Sequence, residues 1–275
     1  MRMLRLSRVV RDRSADPALR PAAPGGALDL RVEADAAAVA EVVAERLLEA
    51  LETGGPVGLA TGRTMAPVYG ALRRRLGAWE GQRRQALLQG WRSFNLDEYV
   101  GLGPADPGSF AAEMAAALAT PLGLAPGQLQ LPDGRAADPQ AEARRYGAAL
   151  AAAGGVALQL LGLGSNGHVG FNEPPCPADA PCRCLTLCAA TRRQNAGAFG
   201  GDPAAVPARA ITLGTAEILA ARRVLLVVTG AAKAEILRRS LQEPPCPDVP
   251  ASWLQRHPRL EVVVDAAAAS ALRLP

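Results

Sequence analysis

His168 is one of only two histidines in the 275 residues, and its surroundings make it the first candidate for chemistry. It closes the stretch Leu161-Gly162-Leu163-Gly164-Ser165-Asn166-Gly167-His168, and Phe171-Asn172-Glu173-Pro174 follows at once. An imidazole changes charge near neutral pH more readily than any other unperturbed side chain. A nearby carboxylate such as Glu173 raises its pKa and fixes its tautomer. The apolar run Ala157 to Leu161 reads as a buried strand, so Asn166, His168 and Glu173 fall just past its carboxyl end. In open α/β sheets that edge is where ligands bind.

The same glycines match GxGxxG. A dinucleotide site would also need a helix starting within them and an acidic residue about 20 positions on. The prolines at 174, 175 and 177 leave no room for that helix. The glycines are therefore read as letting backbone approach a ligand closely.

Three further stretches carry chemistry. Thr61-Gly62-Arg63-Thr64 joins a strand, Val57 to Ala60, to a helix from about Met65 to Leu76. Such a junction offers backbone N–H groups, hydroxyls and the positive end of a helix dipole to an anion. It is not a Walker loop, because GxxxxGK[ST] is absent. Asp97 and Glu98 follow the strand Trp91 to Asn95 and bring two carboxylates to the same sheet edge. Lys233 is the only lysine among 30 basic residues and lies in the first turn of a helix opened by Thr229-Gly230-Ala231-Ala232. A cation there opposes the helix dipole. That favours a ligand-facing ammonium, a point charge that arginine's planar fork does not replace.

The elements that must position these residues alternate between strand and helix. Asp35 caps a helix over 36–52, whose stripe of Val39, Val43, Leu47 and Leu51 faces a core. Further helices are expected near 110–118, from Asp138-Pro139 onward, near 215–220 and after Lys233, with strands at 210–213, 224–228 and 260–265. This alternation predicts an α/β fold, a parallel sheet, mixed at its edge, with helices on both faces. Residues 1–26 read as a flexible tail and 27–275 as one domain, with a Pro- and Cys-rich lid near 174–195.

Composition excludes several classes. Thirty basic and 26 acidic residues give a net charge of +4 with only 4% aromatics, which argues for a solvated arginine face and against nucleic acid. No apolar run approaches the roughly 18 residues of a membrane span, and no secretory signal is visible. Five cysteines, four of them in C-x5-C-x-C-x3-C, lack the paired knuckles of a structural zinc site. A cytoplasmic chain with reduced thiols is expected.

Taken together, Thr61-Gly62-Arg63-Thr64, Phe94-Asn95-Leu96-Asp97-Glu98-Tyr99, the Gly162–His168 turn with Phe171-Asn172-Glu173-Pro174, and Thr229-Gly230-Ala231-Ala232-Lys233 resemble the glucosamine-6-phosphate deaminase family. The motifs are collinear and span roughly residues 28 to 272. The resemblance implies a Rossmann-like fold of the sugar-phosphate isomerase/CoA-transferase group. It implies a small-molecule sugar phosphate as substrate, conversion of a hexosamine 6-phosphate to fructose 6-phosphate and ammonia, and no metal or organic cofactor. Because water releases the ammonia, it also suggests the label hydrolase.

By resemblance, Asp97 is the base at C2 and His168 the ring-opening acid/base, with Glu173 orienting it. Thr61, Gly62, Arg63, Thr64, Arg192 and Lys233 take the phosphate. The family commonly carries aspartate where this chain has Asn166, and serine where it has Arg63. A 6-phosphogluconolactonase is the first alternative, disfavoured because Phe-Asn-Glu-Pro replaces its usual Ser-Leu-Phe-Pro. A non-catalytic sugar-phosphate sensor is the second, disfavoured because binding phosphate needs none of Asp97, His168 and Glu173. His257 reads as packing, and a homo-oligomer is left open.

Overall fold

The computed structural model describes residues 4–6 and 28–273. Along the chain run β1 (Leu4–Leu6), β2 (Leu28–Glu33), α1 (Ala36–Glu52), β3 (Val57–Leu59), α2 (Met65–Gly77), α3 (Gly81–Gln89), β4 (Ser93–Asn95) and β5 (Asp97–Tyr99). Next come α4 (Phe110–Met114), a π-helical turn at Ala115–Ala119, α5 (Thr120–Leu122), β6 (Leu129–Gln130), α6 (Pro139–Ala152) and β7 (Leu158–Gly162). The remainder holds β8 (Arg183–Thr186), α7 (Ala189–Asn195), β9 (Arg209–Thr212), α8 (Thr215–Leu219), β10 (Val224–Val228), α9 (Ala234–Gln242), β11 (Leu260–Asp265) and α10 (Ala266–Ala269).

Eight strands form one parallel sheet in the order β1-β2-β11-β10-β7-β3-β4-β6. β10 and β11 are buried along their whole length, as strands covered on both faces must be. α1 buries Val39, Val43, Leu47 and Leu51 as its periodicity predicts, and Asp35 accepts the Ala38 N–H at 2.8 Å. The antiparallel pairing expected at the sheet's edge is instead a separate three-stranded sheet, β5-β9-β8. Leu96 is the crossing point. Its N–H donates to Leu59 O of the large sheet, and its carbonyl accepts from Leu213 N beside the small one.

Several local readings change. The tail expected over 1–26 is described only at Leu4–Leu6, which pair in parallel with Leu28–Leu30; the rest lies outside the described residues. α3 has no counterpart in the sequence reading, because only Leu87 of its residues is buried and it carries no apolar stripe. Within 174–195 the chain forms β8 and α7, since β8 gains backbone partners from β9, far away in sequence.

The strand order matters most for what it brings together. Thr61–Thr64 leaves the carboxyl end of β3, Asp97 follows β4, the Gly164–Glu173 turn follows β7, and Thr229–Lys233 follows β10. β10, β7, β3 and β4 are consecutive neighbours, all parallel. At about 4.8 Å per strand, four motifs remote in sequence share an edge about 15 Å wide. It lies where the chain order of the strands reverses, the usual ligand crevice of such sheets.

Candidate active site

His168 is held by the turn that carries it. Gly164 N–H donates to His168 O at 2.9 Å, and Gly167 N–H to Gly164 O at 3.1 Å. A Cβ on Gly164 would meet three atoms of the imidazole at 2.3 to 2.4 Å, so only glycine lets the ring lie there. Both the His168 backbone N–H and ring Nδ1 converge on Asn166 Oδ1, at 3.3 and 2.7 Å. An amide oxygen only accepts, so Nδ1 carries the proton and Nε2 keeps its lone pair.

Electrostatics then set that ring's charge. Burial pulls the His168 pKa down to about 4, opposed by the Glu173 carboxylate and assisted by the Lys233 ammonium. The expectation of an imidazole raised toward its working pH is overturned, because loss of hydration outweighs the carboxylate. Glu173 does not hold the ring by a hydrogen bond. Its Oε2 accepts Cys188 N–H at 2.9 Å and its Oε1 accepts the Cys188 thiol at 3.0 Å, so it acts on the imidazole through space while Asn166 orients it.

Asp97 comes from β5, where it pairs with Thr212 of β9, and is only 5% exposed. A Cβ at Gly170, two residues past His168, would lie 3.3 Å from Asp97 Oδ2. The carboxyl and the histidine turn therefore lie against each other. Burial pushes Asp97 well above the usual carboxylate range, and the charges of Glu98 and Glu113 add to it. Glu98, the other half of the expected carboxylate pair, is committed elsewhere. It accepts the N–H groups of Tyr99, Phe110 and Ala111 at 2.8, 3.0 and 2.7 Å and so fixes the start of α4.

Lys233 ends a 3-10 turn and caps α9. With Arg63, Thr64 and Thr229 it lines a cleft of about 360 Å³, walled by Ala36, Val39 and Ala40 of α1. Burial and the neighbouring Arg63 charge lower the Lys233 pKa. Among the described residues no carboxylate pairs with Lys233 or Arg63, so two cations face an open cleft unneutralised. The Thr64 side chain makes no capping bond to α2, and Gly62 adopts φ +105°. Thr61 and Gly62 precede the cleft without lining it. Arg192 is also absent from its lining. Its Nε donates to Val206 O at 3.1 Å and its Nη2 to Ala204 O at 2.9 Å, which holds it on the 204–206 loop.

Sequence reasoning missed three supports. Asn172, fully buried, donates Nδ2 to Val169 O and Leu213 O and accepts from Arg183, stapling the histidine turn to the small sheet. Cys188 holds Glu173, as described above. Glu113 of α4 accepts the Gly62 N–H at 2.9 Å. Only the position of Asn172 within Phe-Asn-Glu-Pro carried any signal. Among the described residues no group of three or more His, Cys, Asp or Glu is placed to hold a metal ion, and no helix is long and apolar enough to cross a membrane.

A doubly covered parallel sheet with a carboxyl, an imidazole and two free cations along one carboxyl edge defines an α/β enzyme acting on a small anionic substrate. The pattern of the glucosamine-6-phosphate isomerase/6-phosphogluconolactonase family matches residues 31–263, and the chain belongs to that family. It is 41% identical over 249 residues to a glucosamine-6-phosphate deaminase of Streptomyces coelicolor, covering 90% of this chain and 94% of that one. A monomeric glucosamine-6-phosphate deaminase of known structure superposes with a TM-score of 0.83 at 32% identity, over 89% of this chain and all of the other. The 6-phosphogluconolactonase of Trypanosoma cruzi superposes with a TM-score of 0.69 at 18% identity, over 90% and 97% of the two chains, a likeness of fold alone. The label hydrolase is corrected by these findings: the relatives near 41% identity are named deaminases, and the lactonases are distant.

Proposed function

We propose that this enzyme is a glucosamine-6-phosphate deaminase, converting the amino-sugar phosphate to fructose 6-phosphate and ammonia. The observation that carries the reading is the charge environment of His168: Glu173 and Lys233 both act on it, and Gly170, two residues on, lies against Asp97. An acid/base pair and unneutralised cations gathered along one sheet edge suit a sugar with its phosphate at C6.

With a pKa near 4, His168 is neutral at pH 7 and takes the proton of the anomeric hydroxyl at Nε2. It returns that proton to the ring oxygen, and the ring opens. The Asp97 carboxylate then removes the C2 proton, helped by the substrate's ammonium, which offsets the burial that disfavours its charge. The resulting enolamine regains a proton at C1, and water releases ammonia from the C2 imine. Lys233, Arg63 and the Thr64 hydroxyl take the phosphate, one as a point charge and one as a fork. Arg192 is held apart from them by its bonds to the carbonyls of Ala204 and Val206.

A small-molecule metabolic role fits a cytoplasmic location. Ammonia release from glucosamine 6-phosphate, assayed beside hydrolysis of 6-phosphogluconolactone and turnover of galactosamine 6-phosphate, tests the reading. Release from the glucosamine ester at the highest kcat/KM is expected; lactone hydrolysis alone would overturn it.

A further inference from the structure

Every contact that holds the Glu173 carboxylate comes from one residue. Cys188 N–H donates to Oε2 at 2.9 Å, and the Cys188 thiol donates to Oε1 at 3.0 Å. Among the described residues no other group hydrogen-bonds or pairs with this carboxylate. Two donors on two oxygens fix both where a carboxylate lies and how it is rotated. The backbone N–H alone would hold one oxygen and leave the other free to swing about it.

Cys188 is itself anchored, and its thiol has no competing duty. Leu187 before it is buried and donates its N–H to Ala208 O at 2.8 Å, and Arg192 donates its N–H to Cys188 O at 3.1 Å. Cys188 stands at the N-cap of α7, yet its side chain accepts no helix N–H. Thr191 Oγ1 lies 3.7 Å from Sγ, so the single S–H proton is directed to Glu173 at 3.0 Å. Asn172, next to Glu173, is tied to Leu213 O and to Arg183, so both neighbours are fastened on the side of the small sheet. What is fastened matters to the imidazole. The Glu173 charge acts on His168 without a hydrogen bond to the ring, so its effect depends on separation alone.

We propose that Cys188 is a positioning residue for the acid/base, its thiol locking the Glu173 carboxylate at the distance and rotation from which its charge acts on His168. For the reaction it serves this rests on the deaminase reading; the lock itself stands on the two hydrogen bonds.

Steady-state deamination of glucosamine 6-phosphate tests it, in wild type, Cys188→Ser, Cys188→Ala, Glu173→Gln and the variant carrying both Cys188→Ala and Glu173→Gln. The imidazole NMR signals supply a second readout, and because the chain has two histidines, His257 is the internal reference. Cys188→Ala should lower kcat about three- to tenfold, the order of one hydrogen bond from a weak donor to a charged group. KM should change less than about twofold, because the residues proposed to take the phosphate are untouched. Cys188→Ser, whose hydroxyl still donates, should stay within about twofold of wild type. With Glu173→Gln already present, Cys188→Ala should have no further effect, since no charge remains to be placed. The His168 ring signal should shift in Cys188→Ala but not in Cys188→Ser, with His257 unmoved in both.

A fold merely loosened by the substitution would cost the same kcat with or without the Glu173 charge, so additive losses overturn the proposal. A His168 signal indifferent to Cys188→Ala overturns it too, as does a Cys188→Ser enzyme as slow as Cys188→Ala. None of these results touches the deaminase reading. Conversely, a wild type that releases no ammonia while its His168 signal still answers to Cys188→Ala overturns that reading and leaves the lock standing.

Discussion

A neutral, buried imidazole with a fixed tautomer is a base before it is an acid, and this sets how His168 works. Asn166 fixes the proton on Nδ1, and burial keeps the ring uncharged down to a pH of about 4. Activity is therefore expected to hold to a lower pH than a solvated histidine would permit. Asn166→Asp places a negative charge 2.7 Å from Nδ1 and stabilises the imidazolium. The acidic limb of the kcat profile should then move up by about one pH unit or more; an unmoved limb would make Asn166 a structural residue. The cations divide differently from the sequence expectation. Lys233→Ala should raise KM for the sugar phosphate about 10- to 100-fold, in line with the roughly 1.5–3 kcal/mol of a charged hydrogen bond. Arg192→Ala should raise it less than about threefold, because Arg192 lies outside the cleft lining and is held on the 204–206 loop by its bonds to Ala204 and Val206. Equal effects in steady-state kinetics would mean that Arg192 leaves that loop when substrate binds.

At the scale of elements, the site depends on turns rather than on the strands that feed them. β7 ends in a loop whose geometry is fixed by two close approaches of glycine backbone to side chains, Gly164 under the His168 imidazole and Gly170 against Asp97 and Thr212. A methyl at Gly164 must displace the ring, since backbone lies on one side and a buried imidazole on the other. Gly164→Ala should lower kcat at least 100-fold with a loss of stability of about 1–3 kcal/mol, the usual cost of overpacking; unchanged kcat would show that the turn relaxes freely. The small sheet has a matching duty. By pairing Asp97 with Thr212 it turns the carboxyl back over the large sheet's edge, and Tyr99, Phe110, Phe171 and Phe199 pack behind it. α4 joins the two layers, held at its start by Glu98 and reaching the Thr61–Thr64 loop through Glu113.

Across the whole molecule, the same burial that prepares the site costs stability in acid. Folded His168 binds its proton at a pH of about 4, whereas the unfolded chain binds it at 6.5. Between those values the unfolded state holds more protons, so stability falls as pH drops through that window. Asp97 works the other way: raised in the fold, it adds stability at low pH that is lost as pH rises. Denaturant unfolding of wild type and His168→Gln at several pH values separates the two. The difference between them should change in favour of the variant by up to about 3 kcal/mol from pH 7 to pH 4. A constant difference would mean that His168 is not buried uncharged. His257, the other histidine, is also buried, with Nε2 2.8 Å from Ala221 O and Nδ1 accepting Arg259 N–H, a packing role far from this chemistry.

The sequence by itself determined what depends on local order. α1 and its cap, the strands leading into each glycine turn, the four motifs and the isolated lysine were legible because periodicity, capping and turn chemistry act over a few residues. Tertiary structure decided what depends on pairing between remote segments. The strand order set the four motifs side by side, the register of β5 on β9 aimed Asp97, and packing stripped His168 of the water that would have kept its pKa ordinary. It also tied Arg192 to carbonyls, gave Glu173 to Cys188 and placed Glu113 on the Gly62 amide. None of these leaves a trace in spacing, because a hydrogen bond or a lost hydration shell is a property of neighbours in space.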